Sequence, residues 1–131
     1  WRIWPQIEID RLQASADLFV GIHDFDAFGR PMKPGGATFR HVTAADWFRD
    51  GDDFVFEITG NAFLYHMVRR LVYAQMAAGQ GKVPIDGISL RLETPETPPI
   101  QGLAPPQGLI LWKVRYQKDG ENNGSFNSID K

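Results

Sequence analysis

The strongest structural signal in the sequence is an amphipathic helix predicted over 62–78. Asn61 precedes it as a suitable N-cap, and Gly79 is the expected stop. One side of the helix is an apolar stripe formed by Leu64, Met67, Val68, Leu71 and Ala74. The opposite side is polar and carries, at helical spacing, His66, Arg69, Arg70 and Tyr73. Because the stripe must be buried, the rest of the chain has to supply an apolar surface for it.

Three other segments have the pattern of β-strands. Strands predicted over 38–48 and 54–59 flank a turn signal at 50–51, so the pair is expected to form an antiparallel hairpin. Alternation over 108–116 predicts a third strand. The sequence therefore predicts an α+β fold, with a small antiparallel sheet and helices packed on one face. A further helical pattern follows Asp10, and residues 84–92 are expected to be helical or irregular.

Composition excludes several classes of protein. The 131 residues fit one domain, and 43% of them are hydrophobic, which excludes a mostly disordered chain. Lys and Arg number 14 and Asp and Glu 16, so the net charge is −2 and any RNA contact must be a local patch. The lack of cysteine excludes disulfides and thiolate metal sites and favours a cytoplasmic protein. No apolar run is long enough for a membrane helix, and a chain that begins at Trp1 is expected to be part of a longer protein.

The dipeptide His23-Asp24 raises the hypothesis of a metal-dependent hydrolase, because it resembles the metal-binding pair of phosphohydrolases. Such a site needs further His and Asp ligands, and His41 and His66 lie on other predicted elements. In the alternative interpretation, Asp24 caps a turn while Phe25 packs in the core. We therefore expect no metal site.

The run Gly79-Gln80-Gly81-Lys82 contains the residue types of a phosphate-binding loop. Such a loop precedes a helix, so that backbone N–H groups and the helix dipole face the anion. Here the run follows the helix, and its order predicts a helix-terminating turn.

Arg69 is the charged residue whose place most suggests chemistry. It is predicted in the second turn of an otherwise apolar helix, where a rigid scaffold would hold its guanidinium. A guanidinium held in this way suits a carboxylate or phosphate partner. The alternative is an ordinary arginine on the solvated face of an amphipathic helix, and the pattern alone favours this alternative.

Five motifs occur in order along the chain. They are His23-Asp24-Phe25 followed by Phe28, Thr38-x-Arg40, Gly60-Asn61-x-Phe63-Leu64-Tyr65-His66-Met67-Val68-Arg69, Gly79-x-Gly81-Lys82, and Ala104-Pro105-Pro106-x-Gly108-Leu109-x-Leu111. Together they resemble the tRNA pseudouridine synthase A family over about residues 9–116. The run that ends at Arg69 and the Ala-Pro-Pro-x-Gly-Leu segment are its most specific parts.

The resemblance implies an RNA-modifying isomerase. Members of the family convert uridine to pseudouridine in the anticodon stem-loop of tRNA, act as homodimers, and need no cofactor and no metal. An Asp is the covalent nucleophile, and the fold consists of two α+β halves with the active site in the cleft between them.

The resemblance also implies roles for individual residues. Arg69 matches the arginine that pairs with the catalytic Asp and orients it. Leu109 matches the apolar residue beside the target base. The implied substrate-binding residues, which line or support the cleft, are His23, Asp24, Phe25, Arg40 and His66.

The chain departs from the family in two ways. The nucleophile motif Arg-Thr-Asp-x-Gly-x-His of the family's N-terminal half does not occur here, and Val72-Tyr73 stands where Val-Gly is usual. The chain therefore resembles the C-terminal half alone, with a C-terminal domain over 1–116 and a flexible polar tail over 117–131. We expect this chain alone to be inactive, with tRNA, the N-terminal half of the same enzyme and a second copy as partners, and no membrane. The alternatives are a non-catalytic RNA-binding or dimerisation domain and the metal-dependent hydrolase.

Overall fold

The computed structural model describes residues 9–51, 53–100, 110–118 and 121–129. Their elements, in chain order, are α1 (Ile9–Asp17), β1 (Gly21–Asp24), a single 3-10 turn (Asp26–Phe28), β2 (Phe39–Asp50), β3 (Asp53–Gly60), α2 (Met67–Gly79), α3 (Ile85–Glu93), β4 (Ile110–Lys118) and β5 (Glu121–Ile129). This arrangement confirms the predicted α+β class. No helix in the described parts of the chain is long and apolar enough to cross a membrane.

The described strands form a mixed sheet of five strands in the order β1-β2-β3-β4-β5. The prediction of a small antiparallel sheet was therefore wrong in one respect, because β3 and β4 pair in parallel. The reason is the connection between them, which contains α2 and α3. Such a helical crossover returns the chain to the same end of the sheet and makes the next strand parallel.

The predicted β2–β3 hairpin is confirmed. The two strands pair antiparallel down to Asp50 opposite Asp53, and Gly51 in the turn has a φ of 63°. Phe56 and Ile58 of β3 are fully buried on the face that packs against the helices. Alternation of side chains along a strand therefore gives this sheet one apolar face, as the sequence predicts.

Helices α1 and α2 both pack on the sheet face that carries Trp47. The side-chain carbonyl of Gln13 in α1 accepts a hydrogen bond of 2.8 Å from the backbone N–H of Trp47. From α2, the side-chain carbonyl of Gln75 accepts a bond of 2.8 Å from the Trp47 indole. The two helices also contact each other through buried residues such as Leu12 and Leu71. This core fixes α2 on the sheet, and α2 carries Arg69.

Helix α2 begins five residues later than predicted. Asn61 does not cap it: its side-chain oxygen accepts a bond of 3.0 Å from the His41 backbone N–H, and its own N–H donates to the His41 carbonyl. Asn61 thus extends the pairing between β2 and β3. His66 takes the N-cap position instead, in the left-handed region with a φ of 62°. The predicted stripe survives this shift, and Met67, Val68 and Leu71 are buried.

The end of α2 is a helix-terminating turn, as predicted. Gly81 has a φ of 77°, and its N–H donates to the Ala78 carbonyl, while the Lys82 N–H donates to the Ala77 carbonyl. These two bonds form the Schellman motif, which satisfies carbonyls of the last turn. Glycine is strongly favoured at position 81, since other residues adopt this φ only at a cost.

The C-terminal region differs from the sequence-based expectation. A loose polar tail is predicted over 117–131, whereas the structure forms β4 up to Lys118 and then β5, which pairs antiparallel with β4. The pattern could not predict β5 because this segment lacks a clear alternation of apolar residues. The division into a domain and a tail stays a prediction.

Candidate active-site cleft

An open cleft of about 710 Å³ lies at the N-terminal end of α2. The chain that leads into α2 forms one wall and the first turn of α2 forms the base. Strand β4 forms the facing wall. The described residues that line the cleft are Met32, Phe63, Leu64, Tyr65, His66, Met67, Val68, Arg69, Trp112, Val114 and Tyr116.

The wall that precedes α2 is held by the loop after the 3-10 turn. Arg30 and Tyr65 exchange two backbone hydrogen bonds, of 3.3 and 2.9 Å, in an isolated antiparallel bridge. Gly29 permits this approach, because a Cβ there would lie 2.7 Å from the Leu64 Cβ and 3.0 Å from the Tyr65 carbonyl. A side chain at position 29 would therefore displace the wall.

Tyr65 and His66 form an aromatic pair at the cleft. Their ring centroids are 3.9 Å apart, and the Tyr65 side chain is 56% exposed. His66 holds the left-handed conformation that turns the chain into α2. Non-glycine residues seldom adopt this conformation, although histidine does so more readily than branched residues. The turn thus presents both rings on the same side as the first turn of the helix.

Arg69 lies in the first turn of α2, and not in the second turn as predicted, because the helix starts at Met67. Its side chain is exposed and lines the cleft, whereas the preceding Val68 is buried. Its Nε donates a hydrogen bond of 3.0 Å to the Tyr73 hydroxyl, and the guanidinium carbon lies 5.6 Å from the Tyr73 ring centroid. A rigid helix therefore carries the guanidinium, and a second side chain contacts it.

The β4 wall is apolar and aromatic. Trp112, Val114 and Tyr116 alternate along the strand and point to the same side as the core face of β3. The ring centroids of Phe63 and Tyr116 are 5.4 Å apart in an edge-on arrangement, which links the two walls across the base of the cleft. These rings give the cleft flat apolar surfaces beside the charge of Arg69.

The cleft combines a positive charge with aromatic surfaces. Among its described lining residues none carries a carboxylate, and Arg69 supplies a permanent positive charge. A guanidinium binds anions, and aromatic rings stack on bases whatever their sequence. Because these described residues include no carboxylate, a reaction at this cleft that uses a carboxylate nucleophile needs that group from outside them.

The structure brings two of the predicted site residues together, Arg69 and His66, which both line the cleft. Leu109 lies outside the described residues. The other predicted residues are not among the described residues that line this cleft; they are His23, Asp24, Phe25 and Arg40.

Those four residues make local contacts around β1. The Asp24 carboxylate accepts bonds from the Asp26 backbone N–H at 3.1 Å and the Thr38 hydroxyl at 2.6 Å, which is the turn-capping role weighed above. Phe25 is fully buried in the core, and His23 contacts the Val20 carbonyl at 3.0 Å. Arg40 donates to the carbonyls of residues 37 and 39. Their part in substrate binding stays a prediction.

The metal hypothesis gains no support from the described residues. No group of three or more His, Cys, Asp or Glu side chains among them could hold a metal ion. Asp24 instead serves the fold, since its oxygen is used by the turn and by Thr38.

Sequence reasoning missed most of the aromatic lining. Phe63 and Tyr65 stand in the same motif as His66, and their aromatic character was a usable signal. Trp112 and Tyr116 lie within the predicted third strand, but only the parallel pairing of β4 with β3 places them on the face that lines the cleft. Tyr73 lies four residues after Arg69, the spacing at which two helical side chains touch.

Comparison with known proteins identifies the family of the chain. The family model for tRNA pseudouridine synthase matches residues 15–117, so the chain belongs to that family. A tRNA pseudouridine synthase A of Chlorobaculum tepidum is 38% identical over 109 residues, which cover 83% of this chain and 44% of the relative. Proteins of the same name from Listeria monocytogenes and Pyrococcus abyssi are 33% and 34% identical, over 86% and 85% of this chain and 46% and 42% of their own lengths. The chain thus spans less than half the length of these relatives.

Proposed function

We propose that this chain is the C-terminal part of an isomerase that converts uridine to pseudouridine in tRNA, with the anticodon stem-loop as its target. The observation that carries the proposal is Arg69, which a rigid helix presents at an aromatic cleft whose described lining contains no carboxylate. Such a lining is what we expect in one half of an active site when the other half carries the nucleophile. The family membership and the partial coverage of the relatives support the same conclusion.

In this proposal Arg69 pairs with an Asp nucleophile that the N-terminal half contributes. An Asp in a cleft with little water is penalised by desolvation, and a nearby guanidinium lowers the pKa of that carboxyl. The planar fork of arginine also fixes the direction of the carboxylate through two parallel hydrogen bonds. Arg69 would therefore keep the nucleophile ionised and aimed at the ribosyl carbon while the base is detached and turned.

The aromatic walls would receive the nucleotide. A uridine that leaves its stack needs flat apolar surfaces around the base. Tyr65, Trp112 and Tyr116 can supply them, and Leu109 would pack against the target base. The chain as a whole has a net charge of −2, which does not attract RNA. The phosphates of tRNA would therefore have to bind at a local patch of positive charge.

The proposed partners are tRNA, the N-terminal half of the enzyme and a second copy of the enzyme. Ile22 and Phe39, which lie on the same face of neighbouring strands β1 and β2, are 68% and 60% exposed and support self-association. Light scattering measures this, and a monomer at all concentrations contradicts it. We place the enzyme in the cytoplasm, because a chain without cysteine forms no disulfides and so needs no oxidising compartment.

The proposal is tested in the complete enzyme with Arg69→Lys. Lysine keeps the charge but loses the planar fork, so turnover should fall by roughly 10- to 100-fold, the range of a lost charge-assisted hydrogen bond. Binding of tRNA should change by less than about threefold, because many other phosphate contacts contribute to affinity. Tritium released from C5-labelled uridine in unmodified tRNA measures turnover.

Arg70→Lys is the matched control, since Arg70 is the adjacent arginine and is not among the described residues that line the cleft. It should leave turnover unchanged. Normal turnover of the Arg69→Lys enzyme would show that Arg69 does not orient the nucleophile. An equal loss in both variants would mean that charge on this helix, and not geometry at position 69, matters. A complete enzyme that binds tRNA and forms no pseudouridine would support a non-catalytic RNA-binding protein instead.

A further inference from the structure

Tyr73 contacts Arg69 from one helical turn farther along α2. The Arg69 Nε donates a hydrogen bond of 3.0 Å to the Tyr73 hydroxyl, and the guanidinium carbon lies 5.6 Å from the centroid of the Tyr73 ring. The two contacts restrain the guanidinium in different ways. The hydroxyl fixes the direction of the Nε–H bond, and the ring attracts the positive charge. Tyrosine is uncharged at neutral pH, so this contact restrains the guanidinium without neutralising it.

We propose that Tyr73 is a positioning residue that holds the Arg69 guanidinium in the orientation required by an incoming carboxylate. This inference rests on the proposed function of the cleft. An arginine side chain has about 2 kcal/mol of rotamer entropy to lose when it binds. A contact that restrains it beforehand reduces this loss and places the carboxylate with less error.

The surroundings of Tyr73 suit this role. Its ring is half-buried and packs against the hydrophobic core, so the hydroxyl is held by a well-fixed side chain. Tyr73 is not among the described residues that line the cleft, so it would act through Arg69 and not on the nucleotide.

The experiment measures the complete enzyme with Tyr73→Phe, which removes the hydroxyl and keeps the ring. Turnover should fall by about three- to tenfold, as expected for one hydrogen bond. The KM for tRNA should stay within about twofold, since positioning of the nucleophile is a transition-state effect. Tyr73→Leu, which also removes the ring, should lower turnover further. Phe48→Leu is the matched control, because Phe48 lies under Lys113 in a similar cation–ring contact on another part of the sheet.

A double-mutant cycle separates positioning from structural support. Tyr73→Phe should cost little or nothing in an Arg69→Lys background, because lysine has no Nε–H in that place. An equal loss in both backgrounds, or a Tyr73→Phe enzyme with normal turnover, overturns the inference. Turnover of the Arg69→Lys enzyme could be too low to measure in the cycle. In that case the contact is tested through the Nε–H signal of Arg69 in an NMR spectrum of this chain. We expect Tyr73→Phe to shift that signal and speed its exchange with water, and an unchanged signal overturns the inference.

The outcome also distinguishes this inference from the proposed function. If the Arg69→Lys enzyme loses turnover and the Tyr73→Phe enzyme keeps normal turnover, the role of Tyr73 is refuted and the role of Arg69 stands. Normal turnover in Arg69→Lys refutes the role of Arg69 itself.

Discussion

The Trp47 indole donates a hydrogen bond of 2.8 Å to the side-chain carbonyl of Gln75, and this contact joins strand β2 to helix α2 inside the core. Gln75 is fully buried, and its amide nitrogen donates to the Leu71 carbonyl at 3.0 Å. Both ends of the Gln75 amide are therefore satisfied, which is what a buried polar group requires. The bond has a direction, so it fixes the rotation of α2 on the sheet more narrowly than apolar packing does. Because Arg69 lies on the same helix, the contact also fixes which way the backbone at position 69 faces.

Replacing Gln75 with leucine should destabilise the chain by roughly 1–3 kcal/mol. The volume is kept, but the Trp47 N–H is left buried without an acceptor. Gln80→Leu is the matched control, because the buried amide atoms of Gln80 have no hydrogen-bond partner among the described residues. That change should leave stability equal or raise it. Urea unfolding measures both, and equal losses would show that the Trp47 contact has no special weight.

The sequence predicts the local elements better than their pairing. The apolar stripe with Leu71 and the hairpin around Gly51 can be found, because each depends on residues close together in the chain. The start of α2 cannot be found in this way. The Asn61 side chain could cap a helix or pair with His41, and His41 is 20 positions away in the sequence. The parallel contact of β3 with β4 is also set by packing of the intervening helices, which no local pattern encodes.

Gly29→Ala should destabilise the chain by about 1–3 kcal/mol, the usual cost of overpacking. The new Cβ would lie 2.7 Å from the Leu64 Cβ and 3.0 Å from the Tyr65 carbonyl, so the wall of the cleft must move. Gly87→Ala in α3 is the control, because its Cβ would approach within 3.4 Å only the Arg91 Nη1, at 3.3 Å, and this side-chain end can shift slightly while it stays bonded to the Gly87 carbonyl. Alanine favours a helix by about 1 kcal/mol over glycine, so this variant should be as stable as the original or more so. Thermal unfolding that ranks the two variants in the reverse order contradicts the close approach at Gly29.

The left-handed conformation of His66 predicts which substitutions it tolerates. His66→Val should cost roughly 1–2 kcal/mol, because a branched side chain collides with the backbone at a φ of 62°. His66→Asn should be close to neutral, since asparagine adopts this region readily. His41→Val is the control, because it makes the same change of side chain at a residue with strand conformation. His41 is exposed on β2, where valine is favoured. Urea midpoints that are equal for the two valine variants would contradict the argument.

The candidate site could be predicted in part. Arg69 and His66 stand in one motif, so the sequence places them close together, and the structure puts both at the cleft. Trp112 and Tyr116 are more than forty positions away from Arg69 in sequence, and the parallel register of β4 brings them to the same cleft. The segment around Asp24 is part of the predicted site, yet Asp24 bonds to the neighbouring turn and to Thr38. A motif shared with a family does not distinguish a residue that contacts substrate from one that holds the fold.

The last prediction is that this chain alone does not form pseudouridine. Isomerisation needs a nucleophile that holds the ribose or the base while the glycosidic bond is broken. Among the described residues that line the cleft, none carries a carboxylate. Arg69 can orient and polarise, but a guanidinium has no lone pair with which to attack carbon at neutral pH.

Loss of the covalent nucleophile usually removes several orders of magnitude in rate, so tritium release from C5-labelled uridine should equal that of a control without protein. The complete enzyme, assayed with the same tRNA, shows that the substrate is competent. A second arm adds the separate N-terminal half to this chain, because noncovalent assembly would restore the cleft and some turnover. Release by the chain alone, well above the control, would contradict the prediction and require a nucleophile on this chain outside the described lining of the cleft.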